Sequence, residues 1–69
     1  MSSMTKQFPK LKYAEQVTKA YQTHSRLLGG WPHGEPVKAW KDKYDNLCIK
    51  YESGTWFHYE FTGGRLQWW

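Results

Sequence analysis

The C-terminal third of the chain carries the residue types that could do chemistry. Residues 46–69 include a histidine, His58, the lone cysteine, Cys48, and an arginine, Arg65. A metal-free ribonuclease needs a base for the 2′-hydroxyl, an acid for the leaving oxygen and a cation for the phosphate. A nucleic-acid platform needs exposed aromatic rings on which bases stack, with cations along the phosphates. Which of the two chemistries is available depends on how the strands pair and on which of these side chains share a face.

Turn residues indicate how the strands of this segment pair. A three-residue loop at residues 52–54, with Gly54 in the left-handed conformation, pairs Ile49 with Phe57, whereas a two-residue loop mixes the faces. Because a shift of one residue moves every side chain to the other face, the apolar face favours the three-residue loop. Gly63 and Gly64 then form a two-residue hairpin turn. The segment is predicted to be a three-stranded antiparallel meander.

This register predicts one apolar face and one mixed face. The core-facing side is expected to be aliphatic and aromatic, with Leu47, Ile49, Tyr51, Phe57, Tyr59, Phe61, Leu66 and Trp68. The opposite face, which we call the outer face, combines rings, cations and titratable groups: Cys48, Lys50, Trp56, His58, Glu60, Arg65, Gln67 and Trp69. In this register Lys50 lies opposite Trp56. His58 lies between Cys48 and Trp69 on the two neighbouring strands.

A helix and one more strand are predicted before the meander. Apolar residues recur at helical spacing in one buried stripe: Tyr13, Val17, Ala20, Tyr21, His24, Leu27 and Leu28. Gly29 and Gly30 supply the stop expected after the last turn. A weaker strand is predicted over residues 37–42, with Trp40 as its largest side chain. The predicted fold class is α+β, one N-terminal helix packed on a four-stranded antiparallel β-meander.

Size and composition restrict the class of protein. The 69 residues suffice for one small α+β domain, residues 13–69, preceded by a flexible basic arm, residues 1–12. Ten Lys and Arg against six Asp and Glu give a net charge of +4, which favours anionic partners. A single cysteine forms no internal disulfide, so a cytoplasmic location is expected. No apolar run is long enough for a membrane span, and no membrane contact is expected.

Binding rather than catalysis is the expected function, through Lys50, Trp56, His58, Arg65 and Trp69. Small size, basic charge and aromatic content are typical of a phage or mobile-element accessory protein that docks on a host nucleic-acid-processing complex, as anti-CRISPR inhibitors do. The alternative is a module that binds single-stranded RNA or DNA, and a homodimer through the outer face is a further expectation. No cofactor and no metal is expected, because the histidines and the cysteine offer two cross-strand ligands at most.

A small metal-free ribonuclease toxin is the second alternative. The predicted architecture resembles the plan of the small microbial ribonucleases and of RelE-like messenger-RNA-cleaving toxins, and the resemblance is confined to that architecture. It implies that His58, Glu60 and Arg65 lie together on the sheet. The competing interpretation is that Glu60 forms an ordinary polar pair with Gln67 across the hairpin, and that His24 is a semi-buried structural residue on the helix.

Overall fold

One helix lies across one face of a four-stranded antiparallel sheet. The computed structural model describes residues 11–69, so most of the predicted basic arm lies outside the described residues. The elements are α1 (Ala14–Leu28), β1 (Pro36–Lys41), β2 (Leu47–Tyr51), β3 (Trp56–Thr62) and β4 (Arg65–Trp68). The strands lie in the order β1-β2-β3-β4, each antiparallel to the next. The predicted α+β fold is confirmed.

The predicted buried stripe of α1 is correct in the middle of the helix, where Val17, Ala20 and His24 are buried. It is wrong at its ends, where three side chains are exposed: Tyr13, Leu27 and Leu28. Helical periodicity identifies the apolar side of a helix, but it does not show how far the partner sheet extends beneath it. In the described part of the chain no helix is long and apolar enough to cross a membrane.

Both predicted hairpin registers are confirmed. Ile49 pairs with Phe57, and Gly54 has a φ of 93°, a conformation that glycine adopts without the steric cost of a Cβ. Gly63 and Gly64 have φ of 58° and 78°, the combination that the two-residue turn between β3 and β4 requires. The turns and the apolar face therefore specify the same register.

The predicted first strand forms and pairs with β2. It spans Pro36–Lys41 rather than the predicted residues 37–42, and a bulge follows its first residue. Beyond the bulge, alternation directs Lys38 and Trp40 to the outer face, since they pair with outer-face residues of β2. Asp42 lies beyond the end of the strand, in the turn that leads to β2.

The core lies between α1 and the inner face of the sheet, and its buried residues are Val17, Ala20, Ala39, Leu47, Ile49, Tyr51 and Tyr59. Phe61 was predicted to belong to it, and that prediction is wrong, because the side chain is 41% exposed. At this end of β3 the ring faces the ammonium group of Lys19, which lies 5.1 Å from the ring centroid. A single helix covers only part of a four-stranded sheet, so the end of the β3–β4 hairpin is left partly open.

Candidate functional site

The outer face carries a continuous row of aromatic rings. Trp40 on β1 contacts Trp56 on β3, with ring centroids 5.3 Å apart, and Trp56 contacts His58 at 5.0 Å. Trp69 stacks on the imidazole of His58, with ring centroids 5.0 Å apart and ring planes 7° from parallel. Two backbone hydrogen bonds of 3.0 and 3.2 Å between His58 and Trp69 hold this stack. We call Trp40, Trp56, His58 and Trp69 the ring row.

Cross-strand pairing explains why the rings meet. Trp40 pairs with Cys48, and Cys48 pairs with His58, so the two larger side chains flank a small one. The sequence places Cys48 on the outer face, and it does lie there, but its exposed fraction is 0%. The larger neighbours cover it, since a cysteine side chain is too short to reach past them. The outer face therefore has a buried thiol beneath its rings.

Cations and exposed rings share one end of the outer face. Trp56 is 47% and Trp69 54% exposed. Lys50 lies directly opposite Trp56, and Lys38 lies opposite Lys50, with its ammonium group 5.8 Å from the ring centroid of Trp40. Neither lysine forms an ion pair with an acidic side chain of residues 11–69. A shallow depression of about 570 Å³ at this end is lined by Lys38, Trp40, Lys50, Gly54 and Trp56.

Three titratable side chains, one of them His58 of the ring row, meet on the outer face. The Nδ1 atom of His58 lies 3.0 Å from Oδ2 of Asp42 and 3.4 Å from Sγ of Cys48. The other carboxylate oxygen, Oδ1, accepts the backbone N–H groups of Tyr44 and Asn46 at 2.8 and 2.9 Å. The hydrogen bond from the Asn46 backbone contributes most to holding the pKa of Asp42 below its ordinary value. Asp42 is thus an ionised carboxylate in a fixed orientation at neutral pH.

The cysteine of this cluster is not an activated nucleophile. Burial, and secondly the negative charge of Asp42, raise the pKa of the Cys48 thiol above its ordinary value. A thiolate is the reactive form of cysteine, and both of these effects disfavour it. Cys48 is therefore a neutral thiol at neutral pH in the metal-free protein.

The five site residues predicted from the sequence are not all in one place. Four of them share one end of the outer face: Lys50, Trp56, His58 and Trp69. Arg65 pairs with Thr62, four residues along β3 from His58, which is about 13 Å at the rise of a β-strand. Arg65 borders instead a surface groove that includes Thr23 and Leu27 of α1. The ring row and Arg65 are therefore separate parts of the surface.

The residues that the ribonuclease alternative would use do not lie together, because Arg65 is far from His58 along the sheet. Glu60 pairs with Gln67 across the hairpin, as the polar-pair interpretation predicted. The carboxylate that bonds to His58 belongs to Asp42, which lies in the turn after β1. Arg65, the cation that such an enzyme would use for the phosphate, lies toward the opposite end of β3.

Trp40 and Asp42 are members of the site that the sequence analysis did not include. Trp40 could have been found, because alternation along β1 places it on the same face as Lys38. Asp42 could not, because its position depends on the turn that brings its carboxylate back over β2 and β3. Long-range contacts of this kind leave no periodic pattern in the sequence.

The face of the sheet beneath the helix holds a second polar cluster. The Nδ1 atom of His24 lies 2.6 Å from the hydroxyl of Tyr59, and that hydroxyl lies 2.6 Å from the hydroxyl of Tyr51. The imidazole of His24, which is fully buried, stacks on Trp68 with centroids 4.0 Å apart. Burial, and secondly the nearby His33, lower the pKa of His24 to about 4. His24 is neutral at neutral pH and lies out of reach of solvent, so its role is structural.

Comparisons with known proteins give no family for this chain. No protein-family model matches it, and neither does any curated protein sequence or any solved structure. The functional proposal therefore depends on the chemistry of the outer face itself.

Proposed function

We propose that this protein is a non-catalytic binding protein that binds single-stranded nucleic acid through the ring row and the adjacent lysines. The observation that carries the proposal is the exposure of Trp56 and Trp69 in the ring row, beside two lysines, Lys38 and Lys50, that have no acidic partner in residues 11–69. Unpaired bases stack on aromatic side chains for about 1–3 kcal/mol each, and cations along the strand neutralise phosphates. Both kinds of group occur here within one depression of the surface.

The rings are held in place before any ligand arrives. His58 is stacked on Trp69 and bonded to Asp42, and Trp56 contacts the same imidazole. A ring that is already fixed loses little conformational entropy when a base stacks on it, so the affinity is higher than that of a mobile side chain. The two exposed indoles that contact His58 offer stacking surfaces for neighbouring bases.

The charges favour a ligand that carries negative charge along its length. Lys38 and Lys50 lie at the exposed end of the ring row, and the exposed acid of this face, Glu60, lies further along β3. Lysine acts as a point charge and does not read base edges in the bidentate manner of arginine. The expected binding is accordingly tolerant of sequence and sensitive to salt.

A protein surface is the second candidate ligand, as on the host nucleic-acid-processing complex that the sequence suggested. The contact between Trp40 and Trp56 supports it, because it joins two indoles into one apolar patch, and tryptophan is enriched among residues that dominate protein interfaces. A protein-directed inhibitor is expected to have little affinity for nucleic acid and to form a stable complex with one protein. A ribonuclease, in contrast, is expected to cleave RNA, and His58→Ala is expected to abolish the cleavage.

Tryptophan fluorescence tests the proposal directly. Purified protein is titrated with single-stranded RNA and with single-stranded DNA at low salt, and then at raised salt. We expect quenching on binding and an affinity that falls as salt rises, since bound phosphates displace counterions. Absence of a fluorescence change at micromolar concentrations would contradict nucleic-acid binding and favour a protein partner. The same samples, run on a denaturing gel, show whether RNA is cleaved.

Two substitutions locate the binding surface. Trp56→Ala is expected to weaken RNA binding by about 1–3 kcal/mol, the contribution of one stacked base. Phe61→Ala is the matched control, because Phe61 is also exposed, at 41%, but lies on the inner side of the sheet. We expect Phe61→Ala to leave the affinity unchanged. Equal losses in the two variants would contradict a site on the outer face, and far-ultraviolet circular dichroism verifies that both variants are folded.

A further inference from the structure

We propose that Asp42, Cys48 and His58 form a binding site for a divalent transition-metal ion of the zinc class. Nothing in the proposed binding of nucleic acid requires this site, and the two proposals are tested separately. The three side chains come from three parts of the chain, the turn after β1, strand β2 and strand β3. Each offers one ligand atom, and the three ligand atoms lie within 4.8 Å of one another.

Two of the three separations between ligand atoms are close to those of a tetrahedral site. Zinc bonds measure about 2.3 Å to sulfur, about 2.0–2.1 Å to imidazole nitrogen and about 2.0–2.2 Å to carboxylate oxygen. Tetrahedral angles then place neighbouring ligand atoms roughly 3.3–3.6 Å apart. The Sγ–Nδ1 separation is 3.4 Å and the Nδ1–Oδ2 separation is 3.0 Å. The third separation, between Sγ and Oδ2, is at most 4.8 Å, so Asp42 has to move toward the thiol by up to about 1.3 Å to complete the tetrahedral set.

The donor set selects the class of metal. A thiolate is a soft ligand and an imidazole a borderline one, and together they favour Zn²⁺ or Co²⁺ over Mg²⁺ and Ca²⁺, which prefer oxygen. Three protein ligands leave the fourth tetrahedral position for water or for a ligand. Cys48 is buried, whereas His58 and Asp42 retain 25% and 17% side-chain exposure, so the ion can enter from the outer face.

Neighbouring groups orient two of the three ligands. Backbone N–H groups of Tyr44 and Asn46 hold Oδ1 of Asp42, and Oδ2, which also accepts the side-chain amide of Asn46 at 3.3 Å, is directed at the imidazole. Trp69 stacks on the imidazole of His58 and fixes its plane. Such outer contacts set the geometry of metal ligands and raise metal affinity, because less order must be imposed on binding.

Metal binding changes the protonation of the cluster in a defined way. The Cys48 thiol releases its proton to solvent and binds as the thiolate. The His58 imidazole binds through Nδ1 and carries its remaining proton on Nε2, and Asp42 binds as the carboxylate. The ion thereby replaces the hydrogen bond that links Asp42 and His58 in the metal-free protein.

Cobalt(II) is the probe that reports on this site alone. Untagged, reduced protein is titrated with CoCl₂ and monitored for the near-ultraviolet thiolate-to-cobalt charge-transfer band and for visible d–d absorption. The chain has one cysteine, so any thiolate band must come from Cys48. We expect a band that saturates at one cobalt per chain and disappears when ZnCl₂ is added in equal amount. No thiolate band, or saturation at one ion per two chains, would overturn the proposal.

Single substitutions test each ligand. Cys48→Ser is expected to abolish the charge-transfer band. Asp42→Asn and His58→Gln each remove a direct ligand, so each is expected to weaken cobalt binding by more than about 100-fold, the upper end of the loss that follows removal of an outer-shell partner. His33→Gln is the matched control, since His33 bonds to Ser53 in a different loop region, and it should bind cobalt normally. Retention of wild-type affinity in His58→Gln would overturn the site. Circular dichroism of each metal-free variant separates loss of a ligand from loss of the fold.

Discussion

One histidine lies at each face of the sheet, His24 of the helix at the inner face and His58 of β3 at the outer face, and their environments differ. His24 lies beneath the helix with an exposed fraction of 0%, bonded to Tyr59 and enclosed by aromatic rings. His58 lies on the outer face, bonded to the ionised carboxylate of Asp42 and flanked by half-exposed indoles. Residue type alone therefore does not identify a candidate binding histidine. Access to solvent and the charge of the nearest partner make His58 available for binding and His24 structural.

The same contrast holds for neighbouring residues of one strand. In β2, Ile49 is fully buried beneath the helix, whereas the next residue, Lys50, is exposed on the outer face. Alternation along the strand assigns one residue to stability and the other to the surface. Substitutions on the two faces should therefore separate loss of stability from loss of binding.

The largest expected effect on stability comes from Ile49, the buried residue of this pair. Ile49→Ala removes buried methyl groups and leaves a cavity, so we expect a loss of about 2–5 kcal/mol in the free energy of unfolding. Lys50→Ala, on the other face of the same strand, is expected to change stability by no more than about 0.5 kcal/mol. Urea denaturation followed by circular dichroism measures both. Comparable losses in the two variants would contradict the assignment of the faces.

Acid should destabilise the protein through His24. The unfolded chain binds a proton at His24 near the ordinary pKa of 6.5, whereas the folded protein does so only near 4, because burial disfavours the charged form. Stability is therefore expected to fall as the pH decreases from about 6.5 to about 4, by up to about 3 kcal/mol. His24→Gln removes the titrating group, and the decrease over that pH range should become smaller. An unchanged pH profile of unfolding in that variant would contradict this account.

Removal of one hydroxyl should have a smaller effect. Tyr59→Phe deletes the group that lies between His24 and the hydroxyl of Tyr51, and it leaves two buried polar groups without that partner. We expect a loss of about 1–3 kcal/mol in the free energy of unfolding. Tyr44→Phe is the matched control, because Tyr44 is 74% exposed and should tolerate the change. Equal denaturation midpoints for the two variants would show that the buried hydroxyl network is unimportant for stability.

The smallest expected effect lies on the outer face and concerns salt rather than stability. If Lys50 contacts one phosphate, Lys50→Gln should reduce the dependence of log affinity on log salt concentration by about 0.7, the value for one contact with a single strand. Lys19→Gln is the control, since Lys19 lies on the helix beside Phe61. Fluorescence titrations with single-stranded RNA at several salt concentrations give both slopes. A smaller slope in both variants would indicate a general charge effect instead of a contact on the outer face.

Local rules predicted the parts of the fold that depend on short-range interactions. The register of β2 and β3 followed from Gly54 and from the apolar alternation, and the next hairpin followed from Gly63 and Gly64. The predictions were wrong where coverage by another element decides, as at Phe61, which the helix leaves partly exposed. Periodicity shows which face of a single element is apolar, whereas the burial of that face depends on a second element that packs against it.

The candidate site shows the same division. Alternation placed Lys50, Trp56, His58 and Trp69 on one face, and the structure brings them together at one end of it. Arg65 shares the face by the same rule but lies toward the other end, because a rule of alternation defines a side of a sheet and not a distance along it.

The net charge follows from the residue counts alone. The helix, the meander and its two hairpin registers were predictable because propensity, turn chemistry and alternation act over a few residues. Long-range packing, in contrast, sets the contact of Trp40 with Trp56, the burial of Cys48 beneath the rings and the hydrogen bond between Asp42 and His58. Those contacts join residues from separate strands and turns. They form because packing the sheet against the helix, and β1 against β2, brings distant parts of the chain together.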